Sequence, residues 1–146
     1  MGPVVRVVVL GTLSNSGHAA EWEQVATEQY QYGGQLHKKR YFIDKTSVKP
    51  TGRVIQLWSL VDFSARQPFP DTGAAPYYQS IKTYSYIDCP ARKEAVVRAL
   101  TIEGKKGEGK VLRDHVFGDQ FDQLEWSLLR LWFEPDVKKL ELVCGR

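Results

Sequence analysis

Apolar and polar residues alternate through the middle of the chain with the period of two that marks β-strands. Residues 77–89 show it best. Tyr77, Ile81, Ile87 and Cys89 take odd positions, while Tyr78, Ser80, Lys82, Tyr84, Tyr86 and Asp88 take even ones. The two sets face opposite sides of a sheet, and the isoleucines mark the odd side, with Cys89, as the covered one. Residues 22–27 and 39–43 give shorter alternations, the second closed by Asp44 and a turn through Ser47. Residues 53–63 contain VIQLWSLVDF, too apolar on both faces for an edge strand, and predict a central one. A loop over 65–76 follows, with three prolines and a glycine, and its length suits a functional or mobile segment.

Residues 94–103 lack a clear period and fit either helix or strand. Glycines at 104, 107 and 109 then make a turn, and 110–117 returns as a strand, so the pair reads as a hairpin. The last stretch is helical. Pro135 suits a first helical turn, where its missing N–H costs nothing. Val137, Leu140, Val143 and Cys144 follow on one face, with Lys138, Lys139 and Glu141 elsewhere on the surface. Trp22, Trp58 and Trp132 are read as core.

Composition narrows the class without naming a function. The chain has 146 residues, 42% hydrophobic, enough to bury a core and to exclude wholesale disorder. A net charge of +3 does not by itself imply nucleic acid. No uncharged apolar run reaches the roughly 18 to 20 residues of a membrane-spanning helix. Residues 1–19 read as a degenerate signal peptide or an N-terminal extension, with Gly17, His18 and Ala19 resembling a cleavage site. Residues 20–146 then form a single domain. Cys89 and Cys144 belong to no CxxC pair and are either two buried thiols or one disulfide, the latter implying export. Periodicity puts Cys89 on the covered sheet face and Cys144 on the apolar side of the helix, which favours the disulfide.

The ordered set Trp22, Tyr41, Asp44, Trp58, Leu60, Asp62, Ser80, Lys82, Asp88-Cys89, Trp132, Pro135 and Cys144 resembles the surface-adhesin protein E family, small exported bacterial proteins. The resemblance covers about residues 21–146. It implies an antiparallel sheet with a C-terminal helix tied to one side by a disulfide. Two features depart from the family pattern. The aspartate of its Tyr-Asp motif stands three residues after Tyr41, and the hairpin near 104–110 is more basic.

Catalytic patterns are missing. Gly104 to Lys110 matches GxxxxGK, but Val111 stands where a phosphate loop needs Ser or Thr, so a flexible β-turn is the better reading. His18, His37 and His115 share no helix face, and no metal or cofactor is expected. There is no nucleophile elbow, and an enzyme is not expected. Two basic clusters remain: His37, Lys38, Lys39, Arg40 and Tyr41, taken as a loop, and Lys105, Lys106 and Lys110 in the hairpin. Such clusters bind polyanions or simply keep a protein soluble. Exposed Tyr78, Tyr84 and Tyr86 would add contact surface.

These readings converge on an α+β protein, with an antiparallel sheet of about six strands, a C-terminal helix on one face and Cys89 bonded to Cys144. The expected function is a non-catalytic, extracytoplasmic binding module for host or envelope proteins or polyanionic glycans, periplasmic or at the cell surface. The rivals are a cytosolic polyanion- or nucleic-acid-binding domain and a structural homodimer subunit.

Overall fold

The structure is a computed structural model that describes residues 20–69 and 75–145. The leader reading of residues 1–19, His18 included, lies outside the described residues, as do 70–74 of the predicted loop.

Gly33 and Gly34, with φ of 63° and 76°, close a hairpin between β1 (Trp22–Tyr32) and β2 (Gln35–Asp44). Two positive φ values in a row let a two-residue turn match the twist of its strands, and only glycine adopts them without a Cβ clash. The remaining strands are β3 (Lys49–Thr51), β4 (Val54–Pro68), β5 (Tyr77–Asp88), β6 (Lys93–Ile102), β7 (Val111–Val116) and β8 (Trp126–Leu128). All pair antiparallel in one eight-stranded sheet, ordered β1-β2-β4-β5-β6-β7. Their number matches the antiparallel sheet of about six strands that the sequence predicts, while the order comes from the structure. β3 adds to one end of β4 and β8 to one end of β6.

As its apolar run requires, β4 is central, flanked by β2 and β3 on one side and β5 on the other. It also runs to Pro68, so residues 65–68 are strand rather than the start of a loop. The ambiguous segment 94–103 resolves as strand β6, because β5 on one side and β7 on the other satisfy its backbone.

One face of the sheet carries helix α1 (Glu134–Cys144). Pro135 sits in its first turn, Glu134 and Asp136 favour the positive helix end, and Gly145 closes it with φ 73°. Ile43, Leu57 and Ile87 from the sheet meet Leu129, Leu140 and Val143 in the main core. At its edge Cys89 and Cys144 form a disulfide, joining the strand and helix faces that periodicity assigned to them.

Burial corrects two of the sequence expectations. Trp132 is 79% exposed, and Trp22 and Trp58 are half-buried, so none of the three is a core residue. Trp132 stands in the link ahead of α1, where its ring lies against Phe133 and Arg130. Lys139 is not a surface lysine. Its side chain is 15% exposed and bonds both carboxylate oxygens of Glu94, at 3.0 and 2.9 Å.

Candidate binding surfaces

Period-2 geometry divides the predicted basic cluster 37–41 between the two faces of the sheet, because it is strand β2 and not a loop. His37, Lys39 and Tyr41 point to the helix-bearing side. His37 lies against the rings of Tyr30 and Tyr32, and Lys39 pairs with Glu28 at 3.8 Å. Lys38, Arg40 and Phe42 point the other way.

On that opposite face the hairpin turn is pinned down. Lys105–Gly107 forms a 3-10 turn that folds back across the sheet. The carboxylate of buried Asp62 accepts the backbone N–H of Lys106 at 2.8 Å. Ser80 Oγ donates to the Gly104 carbonyl at 2.6 Å and accepts the Gly107 N–H at 2.9 Å. Lys106 Nζ then lies 4.8 Å from the centre of the Phe42 ring. The expected flexible turn is therefore a fixed one, held by two residues of the resemblance pattern. Asp62 lies directly across from Arg40, and Leu60, two residues earlier, lies across from both Phe42 and Lys82. Two clusters some 65 residues apart in the chain thus share one surface, with Lys82 between them. Lys105, Lys106 and Lys110 are all exposed there, and Val111 opens a strand, which is not the setting of a phosphate loop.

The tyrosines are not the exposed set that alternation suggested. All three are half-buried. Tyr78 packs edge-on against Phe63, and Tyr86 against Phe121. Tyr84 stacks at 5.1 Å on Trp58 and donates its hydroxyl to Gln56, on the same face as Lys82. Burial pushes the Tyr78 and Tyr84 phenols above their ordinary range. The segment after β7 lays Leu124 and Trp126 over Tyr84, Tyr86, Ala95 and Val97, while Tyr78 is covered by Phe63 and Phe69.

The helix-bearing face holds a groove that the sequence reading missed. A cavity of about 510 Å³ opens between the start of α1 and strands β1, β2, β4 and β6. Its polar lining is paired internally. Tyr41 donates to Glu28 at 2.8 Å, Lys139 bonds Glu94, and Arg130 bonds Asp136 through both its backbone N–H and its guanidinium. Burial raises the Tyr41 phenol well above its ordinary range, and the Glu28 carboxylate that accepts its proton raises it further. The Arg130 guanidinium covers the Phe133 ring at 4.0 Å and lies 5.5 Å from Trp132. A second cavity of about 790 Å³ shares Glu94, Val96, Arg130 and Asp136 with the first and reaches Phe117 and Leu128. Leu128, Leu131 and Trp132 are all more than half exposed beside it. The run Arg130-Leu131-Trp132-Phe133 ahead of a helix was the available signal. Its meaning depends on which rings the helix leaves uncovered.

Among the described residues no group of three or more His, Cys, Asp or Glu side chains is placed to hold a metal ion. His115 packs on Phe117 at 4.4 Å, far from His37 in the sheet order. Arg98 and Asp114 pair through two short bonds, and the guanidinium holds the exposed Asp114 carboxyl below its usual range. Among the described residues no helix is long and apolar enough to cross a membrane.

A sequence model of the family described as surface-adhesin protein E matches residues 17–128. No curated protein matches the chain. Among solved structures, crystal form II of Haemophilus influenzae protein E is similar with a TM-score of 0.54 at 15% identity, over 72% of this chain and 80% of that one. A second structure of Haemophilus influenzae protein E gives 0.53 at 15% identity, over 72% and 76%. Its selenomethionine form gives 0.53 at 16% identity, over 73% and 79%.

Proposed function

The chain belongs to the surface-adhesin protein E family, and from that premise we propose that it is a non-catalytic, adhesin-type binding module acting outside the cytoplasm. Its partner is a host or envelope protein, held at the groove beside α1. The observation that carries the reading is Trp132, 79% exposed and backed by the Arg130 guanidinium and the Phe133 ring. Trp, Tyr and Arg supply most of the energy at protein interfaces, because each combines a large apolar area with a polar handle. An indole left in water by its own fold gains that area only from a partner. The neighbouring ion pairs are already closed, so a partner can dock over them without stranding a buried charge.

The disulfide supports an oxidising compartment, since such a bridge persists outside the cytoplasm. Family membership supports a binding role over catalysis. The test is adhesion by beads coated with the oxidised protein, on immobilised host-membrane and bacterial-envelope protein fractions. Wild-type beads should adhere above albumin-coated beads on one of the two. Trp132→Ala should reduce that adhesion at least about tenfold, as a central interface tryptophan does. Adhesion no better than albumin, or undiminished by Trp132→Ala, would sink the reading.

A further inference from the structure

The face of the sheet opposite α1 carries a concentration of positive charge that the groove does not use. Lys38 and Arg40 project there from β2, Lys82 from β5, and Lys105 and Lys106 from the pinned turn. None of the five makes an ion pair among the described residues, in a protein where Arg53, Arg98, Arg130, Lys39, Lys45, Lys138 and Lys139 all do. Asp62 lies among them, but one of its oxygens holds the Lys106 N–H and the carboxylate is buried. Glu103 and Glu108 are exposed on the flanks of the turn.

The turn is built to present this charge. Lys106 has a φ of 55°, a left-handed conformation that non-glycine residues rarely adopt. Asp62 and Ser80 hold it in place. A position beside Gly107 Cα would lie 2.4 Å from Lys82 Cε and 3.4 Å from its Nζ, so the turn rests directly on the Lys82 side chain. Arg40 lies two strands from Lys82, on the order of 10 Å away at the usual strand spacing. Next along β5 comes Tyr84, stacked on Trp58 with Gln56 at its hydroxyl.

We propose that this face is a second binding site, for a sulfated polysaccharide chain. Cations spaced across a sheet neutralise anionic groups repeated along a linear polymer, and release of its counterions drives the association. The half-buried Trp58–Tyr84 pair supplies a partial apolar ring surface of the kind a pyranose uses, and the Gln56 amide, bonded to Tyr84 and Thr51, keeps one N–H for its edge. The site stands independently of the groove reading, and its test reads glycan binding alone.

The experiment is calorimetric titration of the oxidised protein with a heparin-derived decasaccharide, from low to physiological salt. The test variant is Arg40→Gln/Lys82→Gln/Lys106→Asn, with asparagine chosen because it tolerates left-handed φ. The control removes the same charge elsewhere, as Lys45→Gln/Lys93→Gln/Lys138→Gln, three exposed positions, of which Lys45 pairs with Glu23. Circular dichroism and the intact disulfide mass establish that each is folded. The test variant should bind at least about tenfold more weakly, with the slope of log K against log salt shallower by about 2 to 3. The control should stay within about twofold of wild type, as expected if site geometry and not net charge governs binding. Absence of wild-type binding, or equal losses in both variants, overturns the site. Tighter binding of a single-stranded oligonucleotide of equal charge overturns its assignment to a sulfated glycan.

Discussion

The Asp62 carboxylate, buried in the central strand, accepts the backbone N–H of Lys106, 44 residues further along the chain. That bond converts a glycine-rich hairpin turn into a fixed cover for Phe42 and Leu60. Replacing Asp62 with Ala leaves the Lys106 amide without its acceptor and is expected to cost about 1–3 kcal/mol. Asp62→Asn, which keeps an acceptor oxygen, should cost less. Urea denaturation measures both, and hydrogen exchange should quicken at Lys106 and Gly107 before it does in β5. Unchanged exchange at those two amides would show that the turn holds without Asp62.

Ser85 is the counter-example, a polar group with no such role. It is fully buried opposite Leu57, and its hydroxyl has no hydrogen-bond partner among the described residues. An unmet buried hydroxyl costs about 1–3 kcal/mol, partly offset by the packing of the oxygen atom. Ser85→Ala should therefore raise the urea midpoint, with a gain on the order of 1 kcal/mol. A lower midpoint would mean that the oxygen contributes more through contact than it costs through desolvation.

The bridge between Cys89 and Cys144 closes a loop of 55 residues, and the chain-entropy account assigns such a loop roughly 4 kcal/mol. Reduction, or Cys89→Ala/Cys144→Ala, should lower Tm by roughly 10 to 20 °C. The first region to loosen should be α1, whose attachment otherwise rests on Leu140, Val143 and the Lys139–Glu94 pair. Calorimetry with and without reductant gives the number. A shift of only a degree or two would mean that apolar packing alone holds the helix.

Tyr41 sets an alkaline limit. Its phenol is raised above the ordinary value of about 10 by burial and by Glu28, so the unfolded chain releases that proton first. Stability from this group is therefore fully present below about pH 10 and falls as pH rises beyond it. Tyr41→Phe should flatten that decline between about pH 9.5 and 11, while losing about 1 kcal/mol at pH 7 with the Glu28 hydrogen bond. Tyr30, Tyr78 and Tyr84 are raised as well, so a smaller slope should remain. Identical slopes for wild type and variant would remove Tyr41 as a source.

Local periodicity carried much of the architecture. It determined that β4 is central, that Ile87 and Cys89 share the covered face of the β5 strand line, and that Leu140, Val143 and Cys144 face them from a helix. These follow from where successive side chains point, which backbone geometry fixes within one element. The Gly33-Gly34 pair between alternating runs is a hairpin signal that the sequence reading did not use.

Tertiary structure decided what each surface contains. The alternation that identifies β2 as a strand also sends Lys38 and Arg40 to one face and Lys39 and Tyr41 to the other, once the segment is known to be strand. Only the pairing of β2, β4 and β5 places Arg40 and Lys82 around a turn drawn in by Asp62. Likewise, Trp132 has the composition of a core residue and is exposed because α1 covers Ile43, Leu57 and Ile87 instead. Local sequence determines the direction of a side chain from its own backbone, whereas burial and charge convergence depend on which distant segment arrives to meet it.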